Sequence, residues 1–375
     1  MTFQKHSGAV RRFAKILKFA SWLQNLPNRL TPPAFRLIQL SSAFWQSRVL
    51  YVAARLDLAT HLGDETLSSS ELATKASADA DSVYRLLRML ASMGIFEETS
   101  PGTFRNTHVS SYLRSDNPHN VRNLILMHNS EVMSRPWYEQ LELGVRQGAV
   151  PFEKTHGEAL FAYMDSHPDF DALFSDSMDS VDALTGDSFT TDFDWKAFDR
   201  IIDVGGSKGS KAISILKHHP HLSAVVFDRA QVIEGAEAYW RDKVDISFLQ
   251  RLRFEAGDAL NNIPAADSAK DIYLLSAVLH GFDDETAMRI LKNLALSIGS
   301  SGARAALLEM VMPPLGADLP STSIDMQMLM GTRGRERTVV EWRELLESCN
   351  GASCSKAADF SLKRLWICAL FRNSL

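Results

Sequence analysis

No acidic residue occurs before Asp57, although Lys5, Arg11, Arg12, Lys15, Lys18, Arg29, Arg36, Arg48 and Arg55 all precede it. Cysteine is almost as scarce. Cys349, Cys354 and Cys368 are odd in number, contain no CxxC pair and cluster near the last apolar run. That pattern excludes a disulfide framework and a cysteine metal site, and reads as reduced core thiols. No apolar run is long enough to span a bilayer, and no secretory h-region with a small-residue cleavage site is evident. The net charge of -5 argues against bulk nucleic-acid binding. A cytoplasmic protein without stable membrane insertion is therefore expected. What is present suits a globular enzyme: 375 residues, 45% hydrophobic and 23% charged, imply a large core divided between two domains.

The basic N-terminal segment, residues 1–33, carries Phe13, Ile16, Leu17, Phe19, Trp22 and Leu23 among its charges. A membrane-surface helix, an organelle presequence and an arm packed on a partner subunit all fit that pattern. Pro27, Pro32 and Pro33 separate it from the next helix. Residues 34–116 read as a small helical domain. One long apolar helix is expected over Phe35–Ala53, a capping box led by Ser69 or Ser70 opens a short helix, and another runs over Asp79–Ser92. Gly94-Ile-Phe-Glu-Glu and Gly102-Thr-Phe-Arg-Asn then form a hairpin, which completes a winged helix. Its Asp79–Ser92 helix, in the recognition position, mixes Asp79 and Asp81 with Arg85 and Arg88, so it offers no basic stripe to DNA.

The stretch Ile201-Ile-Asp-Val-Gly-Gly-Ser-Lys-Gly209 holds the most chemical information. An apolar strand ends in an acid and glycines, and Ala212, Ile213, Ile215 and Leu216 follow at helical spacing. Strand, tight turn and helix start together present free N–H groups to a nucleotide-like ligand. Val225-Val-Phe-Asp228 is a second strand ending in an acid, roughly 20 residues on, a spacing suited to gripping ribose hydroxyls. Leu252-Arg-Phe-Glu-Ala-Gly-Asp258 is a third, with an acid suited to an adenine edge. Further strands are expected at Asp271–Ser276, Ala305–Glu309 and Leu365–Phe371, with helices over Thr286–Ile298 and Val340–Ser348. This alternation over residues 195–375 is the pattern of a doubly wound, Rossmann-like α/β sheet.

Between the two domains, residues 117–194 read as a helical bridge rich in methionine and aromatics. Met127, Met133, Trp137, Phe161, Phe174 and Met178 suit the lining of a flat apolar pocket, and ordinary core packing is the plainer alternative for each. Met326 and Met330, one helical turn apart, carry the same two readings. His280 lies directly after the fourth strand, at the C-terminal edge of the sheet, where a neutral imidazole can take a proton from a phenol.

In this order, several segments resemble the class I S-adenosylmethionine-dependent O-methyltransferases of the caffeate/acetylserotonin type. They are Asp203-Val-Gly-Gly-Ser-Lys-Gly209, Phe227-Asp228, Gly257-Asp258, Leu279-His-Gly-Phe-Asp-Asp-Glu285 and Arg333-Gly-Arg-Glu-Arg-Thr338. Pro136-Trp137, Gly148-Ala-Val-Pro-Phe-Glu-Lys-Thr-His-Gly157 and Phe161 belong to the same set. The resemblance covers nearly the whole chain. It implies a seven-stranded methyltransferase sheet, an N-terminal winged-helix domain that builds a homodimer, and a bridge that roofs a small-molecule acceptor. It also implies His280 as general base with Glu309 and Glu336 as flanking acids, either able to orient the ring. Cofactor contacts carry over as Gly205, Ser207, Asp228, Asp258, Ala259, Leu260 and Ser276, and no metal is implied. Four positions depart from the family pattern. Ser207 stands for a third loop glycine, Gly281-Phe282 for Asp-Trp, Arg229-Ala230 for Leu-Pro, and Ser276 for a lysine common in plant members. Three functions remain open: methylation of a hydroxyl on a small, aromatic or secondary-metabolite acceptor; methylation of sulfur, nitrogen or carbon, or a non-methyl-transfer reaction, on the same fold; and a silent binding module. Retention of His280, Glu309 and Glu336 argues against the last.

Overall fold

Ile201 and Ile202 are both fully buried, yet they join different hydrophobic clusters. Successive side chains of a strand leave opposite faces, so an all-apolar strand fills a core on each side of its sheet. Ile202, Tyr273, Leu275 and Leu307 pack on one face with Leu291, Leu294, Trp342 and Leu345. Ile201, Ala224, Val226, Ile272, Leu274 and Leu308 pack on the other with Ala212, Ile213 and Leu216.

The structure is a computed structural model, and it describes residues 30–185, 188–241, 243–349 and 365–369. The basic arm up to residue 29, and Cys354, lie outside the described residues. The chain divides into two compact units, one built on Gly8–Ser134 with Pro168–Leu184, the other on Arg135–His167 with Thr185–Leu375. No helix among the described residues is long and apolar enough to cross a membrane.

In the first unit the expected helix over Phe35–Ala53 is two helices, Pro33–Ser41 and Ala43–Arg55. The break falls at the serine pair. Ser41 and Ser42 turn their hydroxyls back onto the carbonyl of Ile38, 2.8 and 3.1 Å away, in competition with the helix's own bonding. The capping box starts one residue before its expected place. Ser68 caps the Ser69–Lys75 helix and exchanges hydrogen bonds with Glu71. Asp79 caps Ala80–Ser92. The wing has three strands, β1 (Thr66–Ser68), β2 (Phe96–Ser100) and β3 (Thr103–Asn106), in the order β1-β3-β2.

The second unit holds a parallel sheet of six described strands: β4 (Arg200–Val204), β5 (Ser223–Asp228), β6 (Leu252–Ala256), β7 (Asp271–Ser276), β8 (Arg304–Glu309) and β11 (Leu365–Ala369). A short parallel pair, β9 (Val311–Met312) with β10 (Arg337–Thr338), lies beyond β8. The order of the large sheet is β11-β8-β7-β4-β5-β6. From β4 the chain winds outward to β5 and β6, then returns to lay β7 on the other flank of β4. Loops leaving β4 and β7 therefore depart in opposite directions, and a crevice opens at their C-terminal ends, the usual ligand position of such sheets.

Candidate active site

Two loops meet at that crevice. The first follows β4 and takes left-handed backbone at Gly205 (φ 71°), Ser207 (φ 52°) and Gly209 (φ 87°). A Cβ on Gly205 would sit 2.7 Å from Val278, and one on Gly206 2.7 Å from the Asp203 carboxylate. The loop thus lies against its own floor with no room for side chains beneath it. Ser207 keeps the left-handed conformation despite its Cβ. Its N–H donates to Asp228 Oδ2 at 2.8 Å, and the Arg229 N–H donates to Oδ1 at 2.7 Å. Asp228 thereby ties the ends of β4 and β5 together. The Ser210–His218 helix starts from Gly209. Ser276 Oγ, at the end of β7, is buried without a hydrogen-bond partner among the described residues.

Asp258 is turned toward its own loop. Oδ1 accepts the Leu260 N–H and Oδ2 the Asn261 side-chain amide, both at 2.8 Å. Ala259 and Leu260 pack, half-buried, against the core cluster of Ile202 and Tyr273.

The second loop follows β7. Ala277 has φ 53° and donates its N–H to Leu308 O at 2.9 Å. A single 3-10 turn, Leu279–Gly281, then presents His280. The Nδ1 atom of His280 lies 2.6 Å from Glu336 Oε1, with the histidine side chain 18% exposed and the glutamate side chain 0%. The two acids do not share one task. Glu309 is fully buried at the end of β8, and its Oε1 accepts the N–H of Val278 at 3.1 Å and of Leu279 at 2.8 Å. It holds the turn, while Glu336 holds the ring. One oxygen of each carboxylate, Oε2, has no hydrogen-bond partner among the described residues.

Burial pulls the His280 pKa down, but the hydrogen bond to Glu336 and the charges of Glu309 and Glu336 outweigh it, and the net shift is upward. Burial drives the Glu309 carboxyl above its ordinary value, against the opposing pull of His280 and of the Leu279 amide.

Glu336 arrives on the segment Arg333–Thr338. Its N–H donates to Asp325 Oδ1 at 2.9 Å. The cations on either side of it, Arg335 and Arg337, both bond Asp284. Gly334 carries a steric requirement that sequence reading missed. A Cβ there would stand 1.8 Å from the His280 carbonyl oxygen and 2.5 Å from the Gly281 carbonyl carbon. Only a residue without a side chain lets this segment approach the histidine turn so closely.

The apolar candidates divide between the two units. Met133, Phe174 and Met178 belong to the first, with Met133 buried and the others half-buried; Met127 is also buried there. Trp137, Phe161, Met326 and Met330 belong to the second. Met330 is fully buried, whereas Trp137, Phe161 and Met326 are half-buried. Phe161 stacks on Phe282 at 5.9 Å between ring centres, and Arg229 lies 5.6 Å from the Phe161 ring and pairs with Asp165. Two of the departures from the family pattern, Arg229 and Phe282, therefore meet on one aromatic ring.

Residues 138–351 match the family described as the O-methyltransferase domain. The chain belongs to that family. Residues 38–116 match the O-methyltransferase dimerisation domain. A phenazine O-methyltransferase from Lysobacter antibioticus is 30% identical over 329 residues, covering 88% of this chain and 91% of that protein. A phenazine-1-carboxylate N-methyltransferase from Pseudomonas aeruginosa is 29% identical over 338 residues, covering 90% and 97%. An O-methyltransferase from neocarzinostatin biosynthesis, solved with S-adenosylmethionine and 2-hydroxy-5-methyl naphthoic acid, superposes with a TM-score of 0.68 at 28% identity, covering 81% of this chain and 90% of that one. The enzyme is thus a methyltransferase that depends on S-adenosylmethionine. Its own residues fit that cofactor. The Gly205–Gly209 loop leaves no room for a Cβ at Gly205 or Gly206, Asp228 stands at its rim, and the Ser276 hydroxyl, without a hydrogen-bond partner among the described residues, is buried at the end of the neighbouring strand β7.

Proposed function

We propose that this methyltransferase moves a methyl group to a hydroxyl on a planar aromatic acceptor, with His280 as the general base. The contact that carries this reading is the 2.6 Å approach of His280 Nδ1 to Glu336 at the switch point of the sheet. A carboxylate only accepts, so Nδ1 carries the proton and Nε2 is the nitrogen left to receive one. Bound in the crevice, S-adenosylmethionine supplies an electrophilic sulfonium methyl. The protein's work is to align the acceptor, exclude water and take the phenolic proton. As His280 becomes an imidazolium, the buried charge is balanced by Glu336 and by Glu309, whose field already raises the ring's pKa. Asp228 and the Gly205–Gly209 loop hold the ribose and amino-acid parts of the cofactor, with Ser276, Ala259 and Leu260 beside them. Phe161 and Phe282 supply a stacked aromatic wall suited to a flat ring.

A second reading has support as well, because one of the relatives is an N-methyltransferase. An amine with a free lone pair needs no base before attack. Methyl-labelled cofactor, offered with a hydroxyphenazine, a hydroxynaphthoate and 3-amino-4-hydroxybenzoate, separates the two. The last compound presents phenol and amine on one ring. Label on oxygen that depends on His280 supports the first reading, whereas label on nitrogen indifferent to His280→Ala replaces it with the second.

The partner in this reading is a second copy of the chain. Phe35, Leu37, Ile38, Leu40, Phe44 and Trp45 are exposed on the Pro33–Ser41 and Ala43–Arg55 helices. An apolar row of that size suits a buried subunit face. Light scattering at the monomer mass across working concentrations overturns the homodimer.

A further inference from the structure

Arg337 is fully buried, a position that costs a guanidinium its hydration unless every donor finds a partner. Half of its hydrogen bonds go to the backbone around His280. Nη1 donates to Leu279 O at 3.1 Å, and Nη2 donates to Phe282 O at 2.9 Å. These two carbonyls bracket His280 and Gly281. Two of its other three N–H groups go to the residue that begins the next helix: Nε and Nη2 donate to Asp284 Oδ1 at 3.0 and 2.7 Å. The guanidinium also lies 5.1 Å from the Trp342 ring, which is itself fully buried. Burial pushes the Asp284 carboxyl up, but the hydrogen bond and charge of Arg337, with help from Arg335, pull it further down, so that it remains an anion for the clamp.

Arg337 is also the residue next to Glu336. One short segment therefore presents the carboxylate that bonds the His280 ring and the guanidinium that grips the backbone on both sides of it. We infer that Arg337 is a positioning residue, and that with Asp284 it sets the His280 turn in register with Glu336 so that the 2.6 Å ring contact forms. Gly334 permits the same approach sterically, and Glu309 caps the opposite side of the turn through Val278 and Leu279. A lysine at 337 has a single nitrogen and cannot span Leu279, Phe282 and Asp284 with this planar fork. The inference rests on His280 being the base, and its test is chosen to be independent of that.

The experiment is a pH titration of the His280 ring in the full-length protein labelled with [15N]histidine, the signal assigned by its loss in His280→Ala. No acceptor is required. In Arg337→Met the His280 titration is expected to fall by roughly one pH unit, the size of a lost charge-assisted hydrogen bond. Affinity for S-adenosylhomocysteine, measured by calorimetry, should stay within about twofold. Arg337→Lys should lie between wild type and Arg337→Met, and Asp284→Asn should move in the same direction by less. If Arg337→Met does not fold, Arg337→Lys and Asp284→Asn decide. A His280 titration that coincides with wild type in every variant that folds overturns the inference, because a purely architectural role lowers the melting temperature and leaves the ring unmoved. Failure of the base assignment looks different: His280→Ala keeps its turnover while the ring still responds to Arg337.

Discussion

Glu309 accepts the backbone N–H of Leu279 at 2.8 Å, so one of the two acids beside the histidine is spent on the turn and not on the ring. Of the two acids, Glu336 is the one that bonds the imidazole. This division of labour sets different expectations for two chemically similar substitutions.

His280→Ala should lower turnover on the true acceptor by roughly 10²–10⁴-fold, with cofactor affinity nearly unchanged. Glu336→Gln should move the acid limb of the kcat/KM profile to lower pH. The base works in its neutral form, its pKa is raised by the Glu336 hydrogen bond and by the two carboxylate charges, and an amide removes one of those charges. Glu309→Gln should shift the limb less and should destabilise the turn. The raised His280 value also has a stability sign. Its contribution is fully present below the unfolded value near 6.5 and is lost as pH rises through the folded value, and Glu336→Gln should flatten that loss. Acid limbs that coincide in wild type and Glu336→Gln contradict the assignment.

Asp228→Ala should weaken S-adenosylmethionine binding by roughly 10- to 100-fold, since a hydrogen bond to a charged group is worth about 1.5–3 kcal/mol. The variant also leaves the Ser207 N–H without the partner it has at 2.8 Å. Calorimetry reads the loss directly. An unchanged dissociation constant would place the ribose elsewhere.

Gly334→Ala should be far more damaging than Gly281→Ala. The added Cβ at 334 meets the His280 carbonyl at 1.8 Å, while nothing lies within 4 Å of one at 281. Since backbone has to move at 334, the Glu336 contact should open, and turnover should drop by about 10²-fold, as misplacement near 1 Å commonly costs. Equal activity in the two alanine variants refutes the close approach.

Ser207→Gly should stabilise the fold by up to about 1 kcal/mol, because φ 52° is left-handed backbone that disfavours a Cβ. Ser207→Val should destabilise it by about 1–2 kcal/mol, as a β-branched residue tolerates that conformation least. Thermal unfolding measures both, and the reverse order of melting temperatures counts against strain in the loop.

Local pattern was enough to read the α/β sheet, the glycine loop and the family. A strand such as Ile201–Val204, buried on both faces, is written as apolar residues broken only by Asp203, and its turn is written as glycine, so elementary spacing identifies both. The wing and its helices were legible for the same reason. The break at Ser41–Ser42 was not, because the apolar stripe continues across it while two hydroxyls bond the backbone. Motif order likewise brought His280, Glu309 and Glu336 under consideration. It was tertiary structure that decided which carboxylate reaches the imidazole. β8 ends beneath the start of the turn, whereas the Arg333–Thr338 segment passes against its histidine through Gly334. The sequence marks Arg337 only as one residue of the Arg333–Thr338 motif. Its burial beneath the turn depends on residues 53 to 58 positions away, Asp284 and Leu279, meeting it in space, and no periodicity encodes that distance.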